Sequence, residues 1–580
     1  MNKQLSAVDL ETTGLIDKGV VPRIICMSYH DGNNSDVITD VQLMEQYLSN
    51  VYPIFHNANF DVAVLRGHGI NVPFYHDTML LSYVQNTNQE HSLKAWGERL
   101  GLPKLEQPWD GVPTEMTEEL KVYAIRDVEI TWKLFHHLYG SLDSDGHSTY
   151  NLELKMGVVI QEMERVGIPI DNQDANRFKD ELESEVNRLN NEIAKLITVV
   201  PTKKLKTYKK EHPELAHCFV RTDDDGWHYQ ITEAFNPNSR YHKAYALQTL
   251  YGWVPAKDKI SKDGTPVVDA DVMEDLADKY PLAQFFTEIS KVNKVLNTFV
   301  RPLLELQDKR GFVHTSLNQT VTRTGRLSSS APNLQNIPAN GDMGKRMRHL
   351  VRKPSEKTII IQADLSNIEA RVFAYYLHKH CGYDSMANAF INDLDMHQAN
   401  ADSWGCSRQM AKKVLYLTLY GGGANKLAID AGVPLAEAES IIKGFTDNCP
   451  VNQLKEKVWA YVRRLGYIRT LLGRHIYYPE INSKDRAERG RAERQCFNAL
   501  LQGTAADIMK DLIVKAYTLV KESKAVCMLT VHDELLILSY ADRADDLCKS
   551  LTELWCSQEY IKPINIKAEF KHADSWGDLH

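Results

Sequence analysis

Near residue 145 the sequence changes character, and one packed domain cannot absorb both halves. Before that point short apolar runs alternate with helical ones. "AVDLETTGL", "PRIICMSYH" and "VYPIFHNANFD" have strand texture, whereas "EMTEELKVYAIRDVEITWKLFHHLY" carries the apolar spacing of a helix. The alternation predicts an α/β domain. From about Tyr150 the text turns to long charged amphipathic segments such as "KDELESEVNRLNNEIAKLI", followed by "PTKKLKTYKKEH", whose Pro201 and lysines suggest a connector. After "RPLLELQDKRG" strand texture returns in "KTIIIQADLS". A helical block follows from about Ser407 to Val462, and the apolar "AVCMLTVHDELLILS" lies near the end. With 580 residues, 43% of them hydrophobic, the chain can bury several cores.

Charge and cysteine content exclude some classes. A formal charge of -8 argues against binding nucleic acid by bulk basicity, although local basic stretches can still track phosphates. Nine cysteines occur with no close pair of the kind that chelates zinc or marks a redox motif, which fits a reducing, intracellular setting. "MNKQLSAVDL" lacks the apolar core of a signal peptide, and no apolar run approaches membrane-spanning length, so no membrane partner is expected.

In "SAVDLETTGL", Asp9 and Glu11 are two apart, so on a strand they project to one side and can share a divalent cation. Alone such a pair is common on solvated strands. More acids arrive in "HNANFD", with Asp61, and in "YAIRD", where Tyr123 and Asp127 share a helix face at i and i+4. This ordered set resembles the proofreading 3′-5′ exonucleases of the DEDD group, tyrosine subclass. The resemblance implies an RNase H-like fold. It also implies that Asp9, Glu11, Asp61 and Asp127 hold two cations that activate water, with Tyr123 orienting that water.

Further along, "IIIQADLSNIEAR" delivers Asp364 to a strand end, and "MLTVHDELLIL" reads as a hairpin with His532, Asp533 and Glu534 at its turn. Two carboxylates from distant positions suit two-metal phosphoryl transfer. In "SRQMAKKVLYLTLYGGG", Arg408, Lys412, Tyr416 and Tyr420 fall at i, i+4, i+8 and i+12, one stripe of a helix that Gly421 can end. In isolation that stripe would be buried tyrosines with snorkelling cations.

From roughly residue 150 to His580 the chain closely resembles the family A DNA polymerases, the bacteriophage replicative members most of all, through "TRTGRLSSSAPNLQNIP", "DLSNIEAR", the Arg408 helix, "ERQCFNALLQGTAADIMK" and "VHDE". The resemblance implies a right-hand fold of thumb, palm and fingers. Asp364 and Asp533 would ligate two cations, Mg2+ or alternatively Mn2+, with Glu534 supporting. Arg408, Lys412 and His397 would hold the triphosphate of a dNTP. Tyr416 would stack on the incoming base, and Tyr420 would guard the template position. Glu369 would reject a 2′-hydroxyl. Arg326, Arg494, Asn498 and Gln502 would face the minor groove of primer-template DNA, where every correct pair presents acceptors at similar positions. Tyrosine at 416 implies poor discrimination against dideoxynucleotides. The family often writes DYSQIELR where this chain has Leu365, Asn367 and Ala370, which loosens the expected packing around Glu369.

The expected layout is therefore an exonuclease over residues 1–145, connector and thumb over 146–318, palm over 319–404 and 495–580, and fingers over 405–494. "KKLKTYKK" is either a phosphate track or a solvated linker. The expected setting is a bacterial host cytoplasm during infection, with helicase or primase as accessory partners and no 5′ nuclease before Asp9. Competing readings are an exonuclease with an impaired polymerase, a single-subunit RNA polymerase, against which Glu369 and the exonuclease speak, and a variant specialised for 2-amino-dATP.

Overall fold

The computed structural model describes residues 3–201, 219–222, 226–229, 232–256, 259–261, 264–338 and 341–579. The segment "KKLKTYKK", residues 203–210, lies outside the described residues. The chain divides into two compact units, Met1–Ile170 with Leu306–His580, and Asp171–Glu305.

The first unit opens on β1 (Gln4–Thr12), β2 (Ile24–His30), β3 (Ser35–Ile38), α1 (Val41–Asn50), β4 (Val51–Phe55), α2 (Ala58–Gly67), β5 (His76–Asp77), α3 (Thr78–Gln85), α4 (Leu93–Arg99) and α5 (Glu118–Tyr139). The strands form one sheet in the order β3-β2-β1-β4-β5, with β1 antiparallel to β2 and parallel to β4. Successive strand residues feed opposite faces, as the pleat requires. Val8, Leu10 and Phe55 join Val62 and Leu65 of α2 in one cluster, while Ile54 joins Leu81 of α3 and Ile130 and Leu134 of α5 in another. "VYPIFHNANFD", which has strand texture throughout, is strand only to Phe55; Asn57, at φ 69°, turns the chain into α2. Local capping fixes the helix starts, as where Asp77 accepts from the amides of Met79 and Leu80.

α6 (Ser144–Val166) continues the first unit. The second unit contains α7 (Asn172–Ala194), α8 (Arg240–Tyr251), α9 (Ala270–Ala277) and α10 (Pro281–Val295). It is narrower than the 146–318 segment expected for connector and thumb. α6 belongs to the first unit because Tyr150 packs with Ile54 and Leu134, and Glu153 enters a buried charge network.

Back in the first unit, the principal elements are β6 (Thr358–Leu365), α11 (Ile368–Cys381), α12 (Met396–Trp404), α13 (Arg408–Leu419), α14 (Arg486–Glu522), β7 (Val526–Val531), β8 (Glu534–Tyr540) and β9 (Ala568–Ala573). The sheet order is β7-β8-β6-β9, and β6 is antiparallel to both neighbours. Its β-branched run buries Ile360 and Ile361 completely and brings Asp364 to the sheet's end. α13 ends at Leu419 with Tyr420 as its cap, and Gly421, at φ 76°, takes the left-handed position just beyond it, as expected of a helix-ending glycine.

Four charged side chains are sealed between α6, α14 and the hairpin Tyr467–Tyr477: Glu153, Arg474, Asp507 and Lys510, none more than 3% exposed. Arg474 donates to Glu153 and, through Nε at 2.8 Å, to Asp507; Lys510 Nζ donates to Glu153 Oε1 at 2.7 Å. Gln319 Nε2 and the Thr470 hydroxyl satisfy the remaining carboxylate oxygens at 2.6 and 2.7 Å. Burial alone would raise the Glu153 carboxyl, but Lys510 and Arg474 outweigh it and hold it below its usual range. The set is balanced, two cations against two carboxylates. Gly325, at φ 82°, lets its loop close on Arg474, since a Cβ there would lie 2.6 Å from Arg474 Nε.

Candidate active sites

β1 places Asp9 and Glu11 on the face that α5 covers, and α5 carries Tyr123 and Asp127 four residues apart on its inner side. One oxygen each of Asp9, Glu11 and Asp127 lies within 4.8 Å of the others. Asp61, on α2, is not in that set. Its Oδ1 accepts the Leu10 amide at 3.0 Å, which ties α2 to β1 and sets Asp61 near enough to be the leading charge acting on Asp9. Burial, reinforced by Asp61, Asp127 and Glu11, pushes the Asp9 carboxyl well above the usual range. Burial and Asp127 push Glu11 up to about 7, and burial pushes Asp61 up to about 8. Such crowding of acids is costly without a counter-charge, and Asp127 Oδ1 is buried with no hydrogen-bond partner. These residues fit a hard divalent cation with oxygen ligands.

One counter-charge is already present, and no motif announced it. Lys104, in the loop between α4 and α5, donates to Asp127 Oδ2, and its Nζ lies 4.9 Å from the Tyr123 ring centroid. Trp109 packs nearly perpendicular to Tyr123, with ring centroids 5.4 Å apart. The sequence gives a lone lysine in "GLPKLEQ" no period or spacing by which to recognise it.

The second site lies at the end of β6. Asp364 stands opposite Glu534 in the β6–β8 register, and Asp533 occupies the turn between β7 and β8, where its carbonyl accepts the Leu365 amide at 3.2 Å. His532 takes φ 53° to make that turn. Burial pushes Asp533 up to about 7; Arg326 opposes this, while Glu369 and Asp364 add to it. Asp364 and Asp533, each partly exposed and each felt by the other's charge, again suit a divalent cation. Glu534 is held by Arg348 Nη1 at 3.4 Å and Trp576 Nε1 at 3.2 Å, with the guanidinium stacked 4.5 Å over the Trp576 ring.

Beside Asp533 opens a cleft of 280 Å³ lined by Arg326, Asn367, Glu369, Tyr416 and Tyr420. Glu369 lies in the first turn of α11 and is claimed by Arg326 and by the Tyr420 hydroxyl at 2.8 Å. Arg326 thus lines this cleft, whereas Asn498 and Gln502 line another. The Tyr416 hydroxyl donates to Asn367 Oδ1 at 3.2 Å, and its ring lies 6.3 Å from that of Tyr420. The stripe on α13 continues outward to exposed Lys412 and to Arg408, whose Nε donates to Asp395 at 2.6 Å. His397 is buried with both ring nitrogens unpartnered. Burial, together with Lys412 and Arg408, lowers its pKa. Arg408 and His397 line a neighbouring cleft of 380 Å³, which also contains Lys567, a cation that sequence reasoning missed.

Along α14, Asn498 and Gln502 line a third cleft of 400 Å³ with Arg323 and Arg491. Asn498 Oδ1 is buried without a partner. Arg494 instead lays its stem against Gly421, 3.3 Å from where a Cβ would be. Among the described residues, no helix is long and apolar enough to cross a membrane.

Comparison with known proteins bears on both sites. Residues 206–578 match the family model "DNA polymerase family A", and residues 1–143 match "3′-5′ exonuclease". DNA polymerase I of Borreliella burgdorferi is 30% identical over 560 residues, covering 92% of this chain and 56% of that protein. The thermostable DNA polymerase I of Thermus aquaticus is 30% identical over 529 residues, covering 88% and 56%. The chain thus spans about half the length of the curated relatives it matches. A solved structure, the POL domain of Pol1 from M. smegmatis in complex with DNA primer-template and dNTP, shares the fold with a TM-score of 0.79 at 23% identity, over 99% of this chain and 96% of that one.

Proposed function

We propose, for a chain that belongs to DNA polymerase family A and carries a 3′-5′ exonuclease domain, that it extends a DNA primer with dNTPs at Asp364 and Asp533 and excises mispaired 3′ ends at the Asp9 cluster. The observation that carries this reading is the convergence of Asp364, from β6, with Asp533, from the β7–β8 turn, beside a cleft walled by Tyr416, Tyr420 and Glu369. Divalent cations, Mg2+ or Mn2+, bound by those carboxylates would offset charge on the attacking and departing oxygens.

The chain's own side chains do the rest. Arg408, Lys412 and the buried, proton-poor His397 converge where a triphosphate tail would lie; Arg408 must leave Asp395 to reach it. Tyr416 offers a ring face to the incoming base. Tyr420 rests on Glu369 and has to release it before a sugar can pack there, which couples nucleotide entry to a change in that hydrogen bond. Asn498 and Gln502, with Arg494 alongside, present polar groups to the minor groove, with Asn498 Oδ1 still in need of a partner. Asp61 steadies β1 at the excision site, and Tyr123 orients the attacking water. In excision, that water's oxygen bonds to phosphorus, the bond to the penultimate 3′-oxygen breaks, and a nucleoside 5′-monophosphate leaves. In this reading the palm spans 319–404 and 495–580 and the fingers 405–494.

We place this work in the bacterial cytoplasm, which suits the free thiols among the described cysteines. The finer idea of a bacteriophage replicase, aided by helicase and primase in an infected host, rests on motif resemblance alone; the relatives compared are bacterial.

The test is extension of a labelled primer on a DNA template with Mg2+, with and without dNTPs. Extension lost only in Asp364→Ala, and degradation without dNTPs lost only in Asp9→Ala, is the expected outcome. Degradation without extension by the unaltered protein would overturn the polymerase half.

A further inference from the structure

We propose that Lys567 binds the terminal phosphate of the incoming dNTP, leaving Asp393 to do so as Arg408 leaves Asp395. This rests on the polymerase reading above and assigns a residue that none of the motifs contains.

Two clefts meet at Asn367, which lines both. One holds Tyr416, Tyr420 and Glu369 beside Asp533, and so suits the base, the sugar and the reacting atoms. The other, of 380 Å³, holds Arg408, His397 and Lys567. From Tyr416 back to Arg408 along α13 is about 12 Å, at 1.5 Å per residue. A nucleotide with its base against Tyr416 therefore sends its phosphates toward Arg408. A cation that shares the cleft of Arg408, and not that of Tyr416, lies at the far end of the tail.

The backbone around Lys567 is fixed, while its head is free to move. The Ser366 amide donates to Lys567 O at 2.9 Å, and Arg371 clamps the approach, Nε donating to Ser366 O at 2.9 Å and Nη1 to Asn565 O at 3.0 Å. Ile566 and Ala568 on either side are buried, so alternation turns Lys567 to the open face. Its Nζ donates to Asp393 Oδ1 at 2.6 Å, and the two side chains are 52% and 72% exposed. A pair so exposed is held weakly. Two residues on, Asp395 treats Arg408 in the same way. Its Oδ2 accepts from Arg408 Nε at 2.6 Å, while its Oδ1 accepts the His397 and Gln398 amides and caps α12. Lys567 and Arg408 hold those two carboxyls below their usual range, so both acids stay charged. One cleft is thus lined by two cations, each resting on its own acid. A triphosphate carries more charge than either carboxylate and offers several oxygens to each cation, so it can draw both away.

The experiment uses the full chain carrying Asp9→Ala, which silences excision. Binding of dATP and of dADP in the presence of Mg2+ is measured calorimetrically, and single-nucleotide incorporation is followed separately across dATP concentrations. Lys567→Met should weaken dATP by about tenfold, the worth of one charge-assisted hydrogen bond, and dADP by less than about twofold. The KM for dATP should rise with kcat nearly unchanged, as befits a contact kept from ground state to transition state. Lys567→Arg should restore most of the affinity. Asp393→Asn removes the competing acid and should tighten dATP by about two- to threefold. Added to Lys567→Met, it should change nothing further. A pair that only steadies the loop before α12 predicts instead that Lys567→Met and Asp393→Asn weaken dATP alike, and that result overturns the proposal. So does an unchanged dATP affinity in Lys567→Met, or an equal loss for dATP and dADP. Absence of incorporation with Lys567 intact would refute the polymerase reading, and the contrast between dATP and dADP would still decide the place of Lys567.

Discussion

Replacing Glu153 with glutamine should expose how much of the first unit depends on one balanced charge cluster. The side chain keeps its volume, but among the described residues Asp507 is then the one carboxylate left to Arg474 and Lys510, so one positive charge is uncompensated where exposure is 3% or less. Breaking a buried pair from one side costs about 3–5 kcal/mol. For a unit of more than about 400 residues, with an unfolding entropy of about 2.1 cal/mol/K per residue, that corresponds to roughly 3–5 °C in Tm. Lys510 offers a partial escape, because burial already lowers its pKa and loss of Glu153 removes what opposes that. With its folded pKa below the unfolded value, the folded variant binds fewer protons than the unfolded chain. Its stability therefore rises with pH through the interval between the two values. Urea denaturation followed by tryptophan fluorescence, at pH 7 and pH 9.5, measures both effects. Glu153→Gln with Lys510→Met removes one charge of each sign and should recover most of the loss. A single variant within about 1 kcal/mol of the unaltered protein, or a double variant no better than the single, would refute the reasoning.

Gly325→Ala should destabilise the same cluster by about 1–3 kcal/mol, since it adds a Cβ 2.6 Å from Arg474 Nε at a φ of 82°, and denaturant midpoints would register it. Metal binding should stabilise the protein more at high pH than at low. Glu11 and Asp533, raised to about 7, and Asp61, raised to about 8, favour the folded state while protonated and lose that advantage as pH rises through those values. The Tm gain from Mg2+ over EDTA should therefore be larger at pH 8.5 than at pH 6; equal gains would contradict it. Tyr416→Phe removes the hydroxyl that reaches Asn367 and should raise selection of deoxy over dideoxy substrates by about tenfold, the worth of one hydrogen bond, in single-turnover incorporation.

Much of both sites was legible because catalysis by paired carboxylates imposes local spacing. Asp9 and Glu11 announce themselves by strand alternation, Tyr123 and Asp127 by a helical turn, and Asp533 by a hairpin between apolar runs. What escaped were groups whose meaning is set by distant partners. Glu153 and Arg474 are 321 residues apart, and Lys510 lies 357 from Glu153, so neither shows a pattern. Lys104 finds Asp127 only after two helices and a loop have folded. The ion pair of Arg326 with Glu369, 43 residues further on, likewise has no local spacing to announce it.

α14 carries Asn498 and Gln502 at the cleft and Asp507 and Lys510 in the buried cluster on one uninterrupted helix of 37 residues. Each residue added to a helix turns everything beyond it by about 100°. A single insertion or deletion between Gln502 and Asp507 would therefore swing the charges out of their cluster or the amides out of their cleft. Over long descent this stretch can change its letters but not its count, and length variation must collect outside the span from Asn498 to Lys510.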